Sequence, residues 1–183
     1  MKLSPSTKGL LFAVISVVAA FGIYFLFLAK KNYYLVDNPT GNTYYFKING
    51  GEERIIPSGQ YFQVNLNKGR NSIQVFDSKK NKLYDSGFVV NKNRGLLNIA
   101  HQDYYINEQF YGYGFAARGA TEIDGKNYLN KPVHFNKLYT DDFYYNIDEK
   151  YDQVVKNIQK VESRSKIFRK QDFLNYYKEY YKL

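Results

Sequence analysis

The chain has 183 residues, a formal charge of +9 and no cysteine. Without cysteine there can be no disulfide, thiol nucleophile, thiolate metal site, lipoprotein anchor or palmitoylation. His101 and His134 are the only histidines, so a His-rich zinc site is excluded and a Ser-His-Asp arrangement would have to use one of these two. Lysine and arginine are spread along the chain rather than blocked, which argues against nucleic acid and leaves anionic headgroups or an acidic partner as counterparts.

Residues 1–8 form a short basic tail with Lys2 and Lys8, and Gly9 to Ala29 carry no charged side chain. As a helix this run is roughly 31 Å long, the thickness of a hydrocarbon core. A cleaved signal has an apolar stretch of about 7–15 residues ending in a small-x-small site. Here the run is longer, and bulky Phe25, Leu26, Phe27 and Leu28 precede Ala29. The expectation is an uncleaved transmembrane anchor over 9–29, with the lipid bilayer as first partner. Lys2 and Lys8 before it nearly balance Lys30 and Lys31 after it. A short, positive N-terminal tail favours a cytoplasmic N-terminus, which places the C-terminal domain in the periplasm or outside the cell, the bacterial inner membrane being the expected site.

From Asn32 onward short β-prone runs alternate with turn clusters. Tyr33 to Val36 stops at Asp37-Asn38-Pro39-Thr40-Gly41. Thr43 to Ile48 is closed by Asn49-Gly50-Gly51, where Asn-Gly favours a tight hairpin because both residues tolerate positive φ. Arg54 to Ile56 ends at Pro57-Ser58-Gly59. Tyr61 to Leu66 alternates with period two, and Asn67-Lys68-Gly69 turns the chain. Ser72 to Phe76 and Leu83 to Val90 are joined across Ser78 to Asn81. These strands point to a mainly β fold, a small antiparallel β-sandwich over 32–140 that carries an aromatic loop.

The order strand, INGG, strand, IPSG, strand, NKG, strand between Thr43 and Val90 resembles small membrane-tethered β-sandwich modules of the PEGA or immunoglobulin-like kind. That resemblance implies an envelope interaction domain and brings no catalytic residues.

Asn98 to Phe115 is the densest aromatic stretch, with Asp103 to Ile106 a candidate strand. Phe110, Tyr111, Tyr113 and Phe115, interleaved with glycine, read either as an interface loop or as an edge strand and turn capping the sandwich. Ile123-Asp124-Gly125-Lys126 reads as a second hairpin, and Val133 to Tyr139 as a further strand. Beyond Asn146 the period changes. Tyr151, Val154, Val155, Ile158 and Val161 lie on one face of a helix, and Asn146 with Glu149 resembles a capping box. After Ser163-Arg164-Ser165 a second helix is expected, with Phe173, Leu174, Tyr177 and Tyr181 on one face. The C-terminal extension over 146–183 is therefore expected to be helical, with Tyr177, Tyr180 and Tyr181 as partner-binding rings.

No G-x-S-x-G and no glycine-rich phosphate loop occurs. Asp141, Asp142, Asp148 and Glu149 are the remaining candidates for acid chemistry or calcium, but they lack the alternating spacing and turn glycine of a calcium loop. Helix-terminal acids are the plainer reading for Asp148 and Glu149. The expected function is non-enzymatic and cofactor-free: an accessory or scaffolding subunit of a membrane protein assembly, with a membrane or envelope protein as partner. The alternatives are a glycan-binding module, for cell-wall polysaccharide, using the same rings, and a membrane-bound hydrolase using the Asp141 to Glu149 acids.

Overall fold

A computed structural model of the chain describes residues 4–24, 32–111, 119–153 and 162–181. Two units result, Met1–Lys31 and Asn32–Leu183. The first is α1 (Pro5–Ile23). Ser4 caps it, its hydroxyl accepting from the Thr7 N–H at 3.2 Å, and Pro5 opens the first turn, where a missing N–H costs nothing. None of its side chains is buried, and it is long and apolar enough to cross a membrane. Residues 25–29 of the expected span lie outside the described residues.

The second unit runs β1 (Tyr33–Asp37), β2 (Tyr44–Ile48), β3 (Arg54–Ile56), β4 (Tyr61–Val64), β5 (Gly69–Phe76), β6 (Lys82–Val90), β7 (Arg94–Asn98), β8 (Tyr104–Tyr111), β9 (Ala120–Ile123), β10 (Lys126–Leu129), β11 (Val133–Phe135), β12 (Tyr139–Thr140), β13 (Glu162–Arg169) and α2 (Lys170–Tyr181). An outer sheet has the order β3-β2-β5-β6 and an inner sheet β12-β7-β1-β4. A third sheet has the order β11-β8-β13, and β9 and β10 form a separate hairpin.

Three apolar clusters stack these layers. Tyr34, Val36, Phe46, Ile73, Val75, Phe88 and Leu97 fill the space between outer and inner sheets. Leu35, Leu96, Tyr104 and Ile167 join the inner sheet to the third. Tyr105, Ile123, Tyr128, Phe168, Phe173 and Tyr177 join the third sheet to the hairpin and α2. Strand β1 is buried from Tyr34 to Asp37 because alternate side chains enter the first and second clusters.

Both sequence-expected hairpins form. Asn49 and Gly50 have φ of 51° and 68°, and Asp124 and Gly125 have φ of 50° and 76°, the paired positive values of a tight two-residue turn. Asparagines satisfy the buried loops. Asn38, Asn98 and Asn146 are each 0% exposed. The Asn38 amide donates to the Asn42 and Pro57 carbonyls at 2.6 and 2.9 Å, and that of Asn98 to the Gln102 carbonyl at 2.8 Å.

Three expectations need correction. The sandwich is not purely antiparallel: β7, which has no strand signal beyond two leucines, pairs parallel with β1, placing Tyr33 opposite Arg94. The candidate strand at Asp103 to Ile106 is the start of β8, which runs to Tyr111 and centres a third sheet. The C-terminal extension is not helical throughout, although the second expected helix, with Phe173, Leu174 and Tyr177, forms as α2. The described residues 146–153 contain no helix, and Val154 to Val161 lie outside the described residues. Residues 162–169 are strand β13, antiparallel to β8 along its whole length, so a vacant sheet edge overrides the helical reading there. Only α2 is helical. The Asn146 and Glu149 pair makes half of its expected box, the Glu149 carboxylate accepting from the Asn146 N–H at 2.8 Å, but it closes a turn.

One buried ion pair spans the layers. Asp37, 0% exposed, accepts from the Arg169 Nε at 3.0 Å, from the Arg169 Nη2 and from the Tyr104 hydroxyl. Replacing Arg169 by Met is expected to lower the urea-unfolding stability by about 3 kcal/mol or more, because it strands a buried carboxylate. The double replacement Asp37→Leu with Arg169→Met should cost less than the sum of the single ones in the same measurement. Gly95→Ala is expected to cost about 1–3 kcal/mol by overpacking, since the new methyl group would overlap the Tyr139 phenol.

Candidate functional site

Strand β13 presents alternate side chains to opposite sides. Ile167 enters the cluster against the inner sheet, and Phe168 the cluster beneath α2. On that second side, segment Ile147 to Asp152 and α2 flank a groove of about 580 Å³. Its apolar wall is Tyr151, Phe168, Tyr176 and Tyr180, and Asp172 and Glu179 of α2 line it with them. The rings are layered: Phe168 stacks on Tyr176 at 5.0 Å, and Tyr176 on Tyr180 at 5.7 Å. The Tyr151 ring lies 5.6 Å from that of Tyr176, and its hydroxyl donates to the Asn107 carbonyl at 2.6 Å. Burial pushes the Tyr151 phenol well above its ordinary pKa, so it stays a neutral donor.

Lys166 also lines the groove. Its ammonium donates to the carbonyls of Asn146 at 2.7 Å, of Ile147 at 3.0 Å and of Glu149. Burial pushes this amine down to about 8, against the pull of Asp148, Glu149 and Asp172. With all three donors committed to carbonyls it is a clamp on the 146–149 turn, not a free nucleophile.

The expected ring residues divide. Tyr111 is buried, 6% exposed, and its hydroxyl donates to the Asp152 carbonyl at 3.3 Å. Tyr177 is also buried, 5% exposed, packed on Tyr128 at 4.8 Å and accepting from the Leu129 N–H at 3.0 Å. Both rings therefore serve the interior, a placement that ring counting along the sequence could not distinguish from a binding face. Phe110 is half-buried in β8. Tyr180 is 51% exposed on the groove. Tyr113 and Phe115, and the side chain of Tyr181, lie outside the described residues. The groove-lining residues that sequence reading missed are Tyr151 as a wall, Phe168, Tyr176 and Lys166. Lys166 and Phe168 share one side of β13, and no apolar alternation in residues 162–169 marks that strand in the sequence.

The acids proposed for hydrolysis each have another bond. Asp141 is buried and accepts from the Asn91 and Lys92 N–H groups, both at 3.0 Å. Asp142 pairs with Lys92 at 2.8 Å, Asp148 accepts from the Tyr33 hydroxyl, and Glu149 pairs with Arg94. His134 bonds the Asp103 carboxylate at 2.7 Å, while His101 lies 5.1 Å from the Tyr84 ring, and among the described residues no serine hydroxyl is bonded to either imidazole. No group of three or more metal-ligating side chains occurs among the described residues. Among the basic residues near the C-terminus, Lys166 and Arg169 bond inward, and Lys170 pairs with Asp124 at 2.8 Å on the surface.

Replacing Lys166 by Met leaves three carbonyls without their donor. It is expected to cost at least about 2 kcal/mol of unfolding stability, since each buried unsatisfied group costs roughly 1–3 kcal/mol. The folded-state amine titrates near 8 and the unfolded one near 10.5, so the unfolded chain binds more protons between these values. Stability of the native chain relative to Lys166→Met should therefore rise with pH across that window and stay level below it, as read from urea midpoints. No known protein family, characterised protein or solved structure matches this chain.

Proposed function

We propose that this chain is a non-enzymatic accessory or scaffolding subunit of a membrane assembly, tethered by α1, with its second unit in the periplasm or outside the cell. The observation that carries this reading is the groove beside α2, whose stacked Tyr176 and Tyr180 rings and acidic Asp172 and Glu179 combine apolar area with charge. Tyrosine supplies large contact area at low conformational cost, and neighbouring charges orient a partner. The engagement of Asp141, Asp142, Asp148 and Glu149 in other bonds favours binding over hydrolysis. The partner is a membrane or envelope protein docking against these rings.

The test is mild-detergent purification of the full chain, with native sizing and mass spectrometry of what co-elutes. A stoichiometric protein partner is expected, and Tyr180→Ser should lower its recovery at least tenfold, in line with a central interface anchor worth about 2 kcal/mol. Thermal unfolding of that variant should match the parent, because Tyr180 is half exposed. A lone monomer in its micelle, or recovery unchanged by Tyr180→Ser, would overturn the proposal. A saccharide-array signal lost with the same substitution would transfer the groove to a glycan.

A further inference from the structure

Sheet edges present unpaired N–H and C=O groups, and folded proteins keep them short, charged or covered. Most edges in the second unit follow that rule. Strand β3 has three residues with Pro57 after it, β4 has four, β12 two and β11 three. Strand β13 is partly covered, since Tyr144 and Tyr145 donate to the Ser165 carbonyl and Ile167 donates to that of Tyr145. Strand β6 is different. It has nine residues, no proline, and pairs on one side only, with β5, among the described residues.

Its guarding charges cancel. Asp85 accepts from the Lys82 ammonium and from the Gln74 amide, both at 2.9 Å. The one irregularity in its pairing falls at Leu83, near the start, leaving Tyr84 to Val90 regular. Leu83 and Val89 are 51% and 49% exposed, each three residues from Ser86.

We propose that β6 is a self-association edge, pairing antiparallel with β6 of a second copy about a two-fold axis at Ser86. In that register Tyr84 of one copy faces Phe88 of the other and Asp85 faces Gly87, which offers no side chain to clash, while Leu83, at the bulge, lies at the end of this ladder beside Val89 of the other copy. Paired residues have the same parity, so both direct their N–H and C=O groups to the same side and the hydrogen-bond ladder closes. Each apolar contact occurs twice, as an isologous interface requires. Moving the axis to Gly87 would set Asp85 against Val89, so the apolar pattern selects Ser86. One strand pair is a small interface, below the roughly 1,200 Å² of stable complexes, so the dimer is weak and reversible. This inference rests on the sheet edge alone and is independent of the groove.

The test uses the absence of native cysteine. Across the axis the two Ser86 Cα atoms stand about 4.5–5.5 Å apart, within disulfide reach. Full-length Ser86→Cys in detergent micelles should form a disulfide dimer on mild oxidation. Ser72→Cys, exposed on the neighbouring β5, should stay monomeric. Adding Val89→Lys to Ser86→Cys should lower the cross-linked fraction at least tenfold. A folded Ser86→Cys that remains monomeric, or equal cross-linking of Ser72→Cys, would overturn the proposal. Should Ser86→Cys not fold, sedimentation equilibrium decides: a concentration-dependent mass for the native chain, lost in Val89→Lys, supports pairing, and equal masses refute it.

Discussion

The Asp37 carboxylate has no contact with water, and the second unit is arranged around that constraint. A buried carboxylate must be paired and hydrogen-bonded, and here both donors come from the third sheet. Arg169 and Tyr104 stand opposite each other in the pairing of β13 with β8. A one-residue slip between those strands would take one donor to the far side, so the ion pair helps fix their register as well as the docking of the third sheet. Arg169 also donates to the Gly59 carbonyl at 3.0 Å, which ties the loop before β4 into the same junction. Burial pushes the Tyr104 phenol far above its usual pKa, reinforced by the Asp37 charge, so it remains a donor at any physiological pH.

Stacking the layers buries polar groups that must find partners inside the fold. A loop buried between sheets needs partners for its amides, and Asn38, Asn98, Asn146, Asp141 and Lys166 supply them. Residues that would look reactive in isolation are thereby committed to backbone groups. Among the described residues, the groove beside α2 combines aromatic area with the acids Asp172 and Glu179, and β6 is the longest strand paired on one side only. They belong to different layers: β6 to the outer sheet, the groove to the third sheet and α2.

Local chemistry made the two-residue turns legible. Asn49-Gly50 and Asp124-Gly125 adopt the positive φ that their side chains allow, and strands β2, β3, β5 and β6 fall close to where period-two patterning and turn clusters put them. The same patterning failed for β7, whose Arg94-Gly95-Leu96-Leu97-Asn98 alternates neither way because both its faces are buried. It failed for β13 because charged Lys166 is buried and half-buried Arg169 turns inward to Asp37, against the rule that interior means apolar. Half of the candidate site was therefore invisible: Tyr180 of α2 was evident, but not Tyr176 or the β13 floor on which Tyr176 stacks.

By itself the sequence determined the apolar N-terminal helix, the hairpins and the exclusion of thiol and His-cluster chemistry, since each depends on residue identity or on neighbours within a few positions. Tertiary structure decided the parallel β1–β7 pair, the third sheet, and which tyrosines face inward. Those outcomes depend on contacts between residues far apart in the chain, such as Asp37 with Arg169, 132 positions away. No local pattern encodes such a contact, because the energy that favours it exists only once both partners have been removed from water together.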